Sequence, residues 1–185
     1  IYPLIPCDVP GLIVTGLSKG GTSVVGDVIR QTARAWGPPE CGALLTPPPR
    51  FGLPEPYLSH LAAIWSLPAS FDAGYRANDG FEELSRFTRC FSPFEDTRER
   101  PCIDKLPAYL PCLPRVLERA SGTPVLVVLR GPVRTVGSSL RSGLSLEEAV
   151  HQVLIITAGL VAVARQAPYN RSIQLLRLDD LVRDP

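Results

Sequence analysis

Three short runs rich in apolar residues predict β-strands. They cover residues 12–16, 125–129 and 172–178. The run VLVVL at 125–129 is continuous, which is typical of a parallel strand that is covered on both of its faces. Residues 12–16, LIVTG, form a shorter run that is closed by glycine. The chain is therefore expected to build its core around a buried sheet.

A helix is predicted directly after the first strand. Apolar side chains recur at spacings of three and four from Thr22 to about Trp36, and Gly37 and the prolines after it end the pattern. Strand, glycine-containing loop and helix follow one another as they do around a phosphate-binding loop. The face expected to be buried consists of Val25, Val28, Ile29, Thr32, Ala33 and Trp36.

Helices are also predicted around the two later strands. A helix interrupted by prolines is expected at 106–120, and another helix at 133–141. Ser145 and Glu148 match a capping box, which predicts a long helix from there to about residue 166. Asp179 and Asp180 are expected to open a last helix after the third strand. Because strands and helices alternate, the sheet is expected to be mainly parallel and flanked by helices.

The region from residue 37 to residue 104 has weaker patterns. Residues 37–56 are rich in proline and turns, residues 57–67 predict a short helix, and DGFEELSRFTRCF at 79–91 predicts another. Irregular segments beside a strand-loop-helix unit can form the wall of a substrate site. We therefore expect residues 38–56 and 68–104 to contribute to a substrate-binding site.

The composition is that of one compact globular domain. The chain has 185 residues, of which 45% are hydrophobic and 20% are charged, and its formal net charge is +1. Balanced charge without long runs of one sign predicts no nucleic-acid partner and no membrane partner. The longest apolar run, 153–164, is shorter than the ~18 residues of a membrane span, so a buried helix is expected there.

The cysteines and the N-terminus indicate the compartment. Five cysteines are scattered without a CxxC pair, which predicts neither a disulfide framework nor a metal site. Free thiols are typical of a reducing compartment, and residues 1–10 do not have the pattern of a signal peptide. A cytoplasmic location is expected, with the Golgi lumen as the alternative if an N-terminal anchor has been removed.

The loop GLSKGGTS at 16–23 has the composition of a cradle for a tetrahedral anion. Gly20 and Gly21 allow the backbone to approach the anion closely. Lys19 supplies a full positive charge, while the N–H groups and the dipole at the start of the next helix add to the attraction. The residues expected to bind the anion are Ser18, Lys19, Gly20, Gly21, Thr22 and Ser23.

This loop differs from the nucleoside-triphosphate loop GxxxxGK[ST]. When Gly16 and Gly21 are aligned with its two glycines, Thr22 stands where the lysine belongs. A magnesium-dependent kinase would also place an acid at the end of a buried strand, whereas VLVVL is followed by Arg130. An arginine attracts a second anion and repels a metal. The two positions predict a ligand with two separated anionic groups that binds without a metal.

The loop resembles the 5′-phosphosulfate loop of the sulfotransferase superfamily, whose donor is 3′-phosphoadenosine 5′-phosphosulfate. In that loop a lysine or arginine is usually followed by Ser-Gly-Thr. Lys19, Gly21, Thr22 and Ser23 match the pattern, and Gly20 replaces the usual serine. The resemblance implies that Lys19 is catalytic and stabilises the negative charge that develops on the bridging oxygen as the donor reacts.

Three further segments are similar to elements of the same family, and they occur in the family's order. LRGPVRTVGSSL resembles the 3′-phosphate element, which implies that Arg130 and Ser138 bind that phosphate. CIDKLPAYLPCLPRVL resembles a DK-x-P segment of bacterial and Golgi-type members, which implies a catalytic Lys105 near the phosphosulfate. LLRLDDLVRDP resembles a strand-to-helix element near the end of the fold.

The resemblance implies one sulfotransferase-like domain over residues 1–185 with an α/β fold. The expected architecture is a P-loop NTPase-like three-layer sandwich, in which helices flank a central, mainly parallel sheet. Members usually continue with a basic, glycine-containing loop that closes over the adenine, and this chain does not contain that loop. The domain is therefore expected to be incomplete at its C-terminus.

Sulfuryl transfer to a hydroxyl or amine is helped by a general base. Glu55 leads among the candidates because PPRFGLPEP resembles an NP-x-G-[FY]-x-E segment of bacterial members. His60, Glu40 and Asp104 are the other candidates. The acceptor is expected to be a small molecule or a carbohydrate, while the oligomeric state stays open. The alternatives are a small-molecule kinase with an atypical phosphate loop and a non-catalytic relative that binds an anion or a partner.

Overall fold

The computed structural model describes residues 10–35, 37, 40, 43–45, 101–165 and 172–183. The helices predicted at 57–67 and 79–91 lie outside these residues. The four described strands are β1 (Leu12–Gly16), β2 (Ile103–Lys105), β3 (Val125–Leu129) and β4 (Ile173–Arg177). The described helices are α1 (Thr22–Thr32), α2 (Leu113–Arg119), α3 (Pro132–Arg141), α4 (Leu146–Ala164) and α5 (Leu178–Arg183). Short 3₁₀ turns cover Ala43–Leu45 and Pro107–Tyr109.

The described strands form one parallel sheet in the order β2-β1-β3-β4. In β1, Val14 pairs with Lys105 of β2 on one side and with Leu126 of β3 on the other. In turn, β3 pairs in parallel with β4. The predicted α/β fold with a mainly parallel sheet and flanking helices is confirmed. Since every pairing is parallel, the carboxyl ends of all four strands lie at the same edge.

Apolar side chains cover both faces of this sheet. On one face, Ile13, Val125 and Val127 belong to a buried cluster with Tyr109 and the inward side of α2 and α4. On the other face, Val14 and Val128 pack with Val25 of α1. This two-sided burial explains the continuous apolar run of β3, because no face of the strand is available for polar side chains.

The strand β2 does not follow from its sequence. It has only three residues, Ile103–Lys105, and two of them are charged. All three are buried nonetheless. A strand this short has no alternating pattern to detect, so its existence depends on hydrogen bonding to β1, which a reading of local periodicity does not capture.

Helix α1 is shorter than predicted and buries a narrower face. It ends at Thr32, and its buried residues are Thr22, Val25 and Gly26. Val28 is 53% exposed, so the prediction that it faces the core is wrong. Thr32 and Ala33 are exposed as well. Besides the buried residues of the helix, the partly buried Ile29 packs against the cluster of Val14, Val25 and Val128.

Residues 106–120 also differ from the single broken helix that was predicted. A 3₁₀ turn at Pro107–Tyr109 comes first, and α2 begins only at Leu113. The Tyr109 side chain is fully buried, and the backbone N–H of Tyr109 donates to the Leu106 carbonyl. The prolines at 107, 111 and 114 restrict continuous α-helical hydrogen bonding to the segment after residue 112.

Helix α4 is far more exposed than the buried helix predicted for this region. It spans Leu146–Ala164, and its buried residues are Ala149, Leu160 and Val163. Leu154 is 63% exposed and Ile155 is 55% exposed. By length and composition alone, the helix is long and apolar enough to cross a membrane. Of its most apolar 18-residue stretch, 17% is buried. One edge of α4 therefore packs on the core while its apolar remainder faces outward.

The predicted capping box at the start of α4 is present. The Ser145 hydroxyl accepts a hydrogen bond from the Glu148 N–H at 3.2 Å, and the Ser145 N–H donates to the Glu148 carboxylate at 2.8 Å. The Ser145 hydroxyl also donates to that carboxylate at 2.7 Å. These hydrogen bonds from Ser145 lower the pKa of Glu148 below its ordinary value.

We expect Glu148→Gln to lower the denaturant midpoint of unfolding at neutral pH more than Glu147→Gln does. Both variants remove a negative charge from the first turn of α4, but only Glu148 belongs to the capping box. Because folding lowers the pKa of Glu148, its contribution is complete above the unfolded-state pKa of about 4.3. That contribution disappears as the pH falls through the lower, folded-state pKa.

The measurement is urea unfolding of both variants and the wild type over a pH series from about 7 to about 3. The difference between Glu148→Gln and the wild type is expected to shrink at the acid end. A difference that stays constant over this series would contradict an ionised capping box.

Candidate anion-binding site

The loop after β1 has a backbone that only glycine can adopt at two of its positions. The Gly20 N–H donates to the Leu17 carbonyl at 2.8 Å, and a Cβ at Gly20 would lie 2.6 Å from that oxygen. Gly21 has a φ of 95°, in the left-handed region. Lys19 also has a positive φ, 62°, which is uncommon for a residue with a side chain. The loop therefore forms a tight turn that leads directly into α1.

The start of α1 is open to an anion. Gly21 is the N-cap residue, and no side chain caps the helix there. The first N–H groups of an uncapped helix lack partners within the helix and carry partial positive charge. Thr22, the first residue of α1, is buried beside this opening. The geometry is that of a helix N-terminus that can accept phosphate or sulfate.

Lys105 reaches the same loop from the end of β2. Its ammonium donates to the Ser23 hydroxyl at 3.1 Å and to the Glu40 carboxylate at 2.5 Å. The Lys105 side chain is 6% exposed, whereas that of Glu40 is 37% exposed. The aliphatic part of the Lys105 side chain lies beside Gly26 on α1. Lys105 is therefore a buried cation with two named partners, which distinguishes it from an ordinary solvated lysine.

A cavity of about 320 Å³ lies over this arrangement. Glu40 and Pro107 contribute to its wall. The predicted anion-binding residues that line it are Ser18, Lys19, Gly21, Thr22 and Ser23. The cavity thus combines the loop, one carboxylate and the uncapped end of α1.

Arg130 lies on the same side of the molecule as the glycine loop. It follows β3, and its Nη1 donates to the Lys19 carbonyl at 3.4 Å. Because β1 and β3 pair in parallel, the segments that follow them leave the sheet at the same edge. Arg130 is half-buried and retains further guanidinium N–H groups for a ligand. The Arg130 guanidinium and the glycine loop therefore lie side by side at the carboxyl edge of the sheet.

The junction of β4 and α5 contacts both loops. The Asp179 carboxylate accepts a hydrogen bond from the Gly131 N–H at 2.8 Å and another from Arg134 Nη1 at 2.7 Å. Leu178 packs so tightly against Gly21 that a Cβ there would overlap its Cδ2 atom. The sequence predicted only that Asp179 opens a helix. Its position directly after a strand in LLRLDDLVRDP was the one signal of a larger role.

Asp104 is buried away from the cavity. Its carboxylate accepts a hydrogen bond from the Tyr109 hydroxyl at 2.6 Å, and that hydroxyl accepts one from the Leu44 N–H at 3.3 Å. Asp104 pairs in register with Ile13, whereas Lys105 pairs with Val14 and faces α1. Adjacent strand residues point to opposite faces. This orientation makes Asp104 a structural residue and disfavours it as the general base.

The roles of three other predicted site residues, Ser138, Glu55 and His60, stay predictions. Ser138 is half-buried on α3, and its role toward a 3′-phosphate stays a prediction. Glu55 and His60 lie outside the described residues, so their roles stay predictions as well. Glu40 is one of the four candidate bases, and no sequence pattern links residue 40 to residue 105. Only the ion pair between them identifies Glu40 as a neighbour of the loop.

Two solved structures have a similar fold. The sulfotransferase domain from the curacin biosynthetic pathway matches with a TM-score of 0.62 at 15% sequence identity, covering 94% of this chain and 69% of that one. The sulfotransferase domain from the Synechococcus PCC 7002 olefin synthase matches with a TM-score of 0.64 at 17% identity, covering 94% and 68%.

Sequence comparison adds no closer relative. No protein-family model matches the chain, and no curated protein matches it in sequence. At 15% and 17% identity, the two structural matches establish the architecture rather than the chemistry. They confirm, at the level of the fold, the resemblance that the loops predicted. This chain has the fold of the sulfotransferase domains.

Proposed function

We propose that this protein is a sulfotransferase that moves a sulfuryl group from 3′-phosphoadenosine 5′-phosphosulfate to a hydroxyl or amine. The observation that carries the proposal is the contact between Arg130 and the Lys19 carbonyl. It joins two cationic, anion-attracting loops at one edge of the sheet. A donor with a phosphosulfate at one end and a 3′-phosphate at the other has the matching distribution of charge.

The phosphosulfate end would bind in the glycine loop. The uncapped N–H groups of α1 and the Lys19 ammonium attract its negative charge. Ser23 and Thr22 line the cavity and supply hydroxyl donors. At the other end, Arg130 and Ser138 would hold the 3′-phosphate. Binding energy from that remote phosphate helps to align the reacting sulfur with the acceptor.

In the transfer step, the acceptor oxygen or nitrogen forms a bond to sulfur while the bond between sulfur and the bridging oxygen breaks. The electron pair of the broken bond stays on the bridging oxygen, where the Lys19 ammonium would stabilise it. Lys105 lies behind this wall, held between the lining residues Ser23 and Glu40, and its positive charge would add to the attraction for the donor. The acceptor proton passes to a carboxylate that acts as general base.

Glu40 is the carboxylate that we propose for this proton. It lines the cavity together with Lys19, and its ion pair with Lys105 fixes the orientation of its oxygens. Glu55 was preferred on sequence resemblance and remains the alternative. The acceptor that we expect, a small molecule or a carbohydrate, would enter the cavity beside Glu40. In the cytoplasm, such an enzyme would act on soluble acceptors.

Calorimetry should detect binding of 3′-phosphoadenosine 5′-phosphate without magnesium. We expect Arg130→Ala to weaken this binding at least about tenfold, because a charge-assisted hydrogen bond to the 3′-phosphate contributes about 1.5–3 kcal/mol. Arg165→Ala is the control, since Arg165 is exposed at the C-terminal end of α4. Tight binding of ATP with magnesium, and none of the adenosine bisphosphate, would instead favour a kinase.

Lys19→Ala should reduce the rate of sulfuryl transfer by at least about a hundredfold while the protein stays folded. The expected loss follows from removing a positioned cation that stabilises the leaving oxygen, which costs about 2.7–4 kcal/mol in comparable oxyanion sites. Transfer is measured with the radiolabelled phosphosulfate donor, and folding by circular dichroism. A loss of less than about tenfold would remove Lys19 from the catalytic group.

Glu40→Gln and Glu55→Gln separate the two candidate bases. We expect Glu40→Gln to lower kcat by about 10²-fold or more, since general bases typically contribute 10²–10⁴-fold. Glu55→Gln is expected to cost less and to leave donor affinity little changed. Glu40→Gln also removes the counterion of Lys105, so it is expected to bind the anionic donor at least as tightly as the wild type. If Glu55→Gln causes the larger loss of kcat, the base is Glu55 and the role proposed for Glu40 is wrong.

A further inference from the structure

We propose that Leu178 and Asp179 form a clasp that sets the distance between the two anion-binding loops. Asp179 is thereby a positioning residue for the 3′-phosphate end of the donor site. The inference rests on the proposed function, because it assigns these residues a role in binding that donor. Neither residue is proposed to touch the donor itself.

Asp179 holds the backbone that follows Arg130. Its two carboxylate oxygens accept separate hydrogen bonds, one from the Gly131 N–H at 2.8 Å and the other from Arg134 Nη1 at 2.7 Å. Its side chain is only 18% exposed. Gly131 is the N-cap of α3, and no side chain within that helix caps it. Asp179 therefore supplies an anionic partner to this helix end from another part of the chain.

Leu178 holds the other loop. Its side chain rests on Gly21, and it belongs to the apolar cluster of Val14, Val25 and Val128. A Cβ at position 21 would displace the end of the Leu178 side chain, and the φ of 95° at this position favours glycine. Leu178 thus packs both against the turn that leads into α1 and against apolar side chains of the sheet.

Two neighbouring residues therefore contact the two loops from one side. The third contact between the loops is the hydrogen bond from Arg130 to the Lys19 carbonyl. That bond is long, at 3.4 Å, and by itself would hold the loops weakly. With the clasp in place, separating the loops also requires one of its two links to break. Either Leu178 leaves Gly21, which exposes apolar surface, or the two hydrogen bonds of Asp179 are lost.

The charge of Asp179 also favours positioning over ligand binding. A bare carboxylate next to a phosphate site would repel the ligand. Here Arg134 and the positive end of the α3 dipole offset that charge. The next residue, Asp180, has a different environment, because it is 56% exposed and pairs with Arg177 at 3.5 Å. Asp180 is therefore a matched control one position away.

The test compares Asp179→Asn with Asp180→Asn and the wild type against two ligands. The ligands are 3′-phosphoadenosine 5′-phosphate and adenosine 5′-phosphate, which lacks the 3′-phosphate. Asparagine has the shape of aspartate but presents an NH₂ group to one of the two donors. We expect Asp179→Asn to weaken binding of the bisphosphate about tenfold and to change binding of the monophosphate less than about twofold. Asp180→Asn should change neither.

Two further measurements keep the outcome decisive. In steady-state kinetics, Asp179→Asn should raise the KM for the donor with little change in kcat. Hydrogen exchange should be faster in the segment 129–134, which contains the Gly131 N–H. If the asparagine variant does not fold, Asp179→Glu replaces it, since glutamate keeps the negative charge but moves the carboxylate by one methylene group away from its place between Gly131 and Arg134.

The possible failures can be told apart. Equal weakening of both ligands would mean that Asp179 merely stabilises the fold, and it would overturn the positioning role. Unchanged binding of the bisphosphate in a folded variant would overturn it as well, while the proposed function would survive. If the wild type binds no bisphosphate, both the proposed function and this inference are wrong.

Discussion

The parallel hydrogen bonding of β1 to β2 on one side and to β3 on the other is the constraint on which the candidate site depends. It brings residues that are far apart in sequence to one edge of the sheet, because a charged residue stands at or shortly after the end of each strand. Lys19 follows β1, Lys105 ends β2 and Arg130 follows β3. Asp179 follows β4 and is the one acid in this set. Without that shared direction the same residues would be scattered over the surface.

The site concentrates positive charge and then offsets part of it. The glycine loop and the uncapped start of α1 contribute partial charges that cannot be titrated away, while Lys19 contributes a full charge. Burying Lys105 would be costly without a partner, and Glu40 and Ser23 provide two. The carboxylate of Glu40 is thus the counterion of a buried lysine and, among the described residues, the acidic group that lines the cavity. This dual position supports its assignment as a base.

Much of the sheet could be predicted from the sequence, because β1 and β3 owe their apolar runs to burial on both faces. The capping box of α4 was also visible, since it depends on residues only three apart. The charged strand β2, the pairing of Glu40 with Lys105 and the contacts of Asp179 were not visible, because each depends on residues remote in sequence. The exposed face of α4 was missed because an apolar run does not reveal whether anything covers it.

The contact between Leu178 and Gly21 has a consequence for how the protein reaches its folded state. It joins one of the first turns of the described chain to one of its last elements, so the loop-closure entropy must be overcome before that contact forms. Until β4 docks, the glycine turn lacks its apolar support. A ligand that needs the finished turn would bind only the docked form, and it would thereby protect β4 against local opening. Of the described strands, β4 is the farthest in sequence from the glycine loop, and an anion bound in that loop would stabilise it.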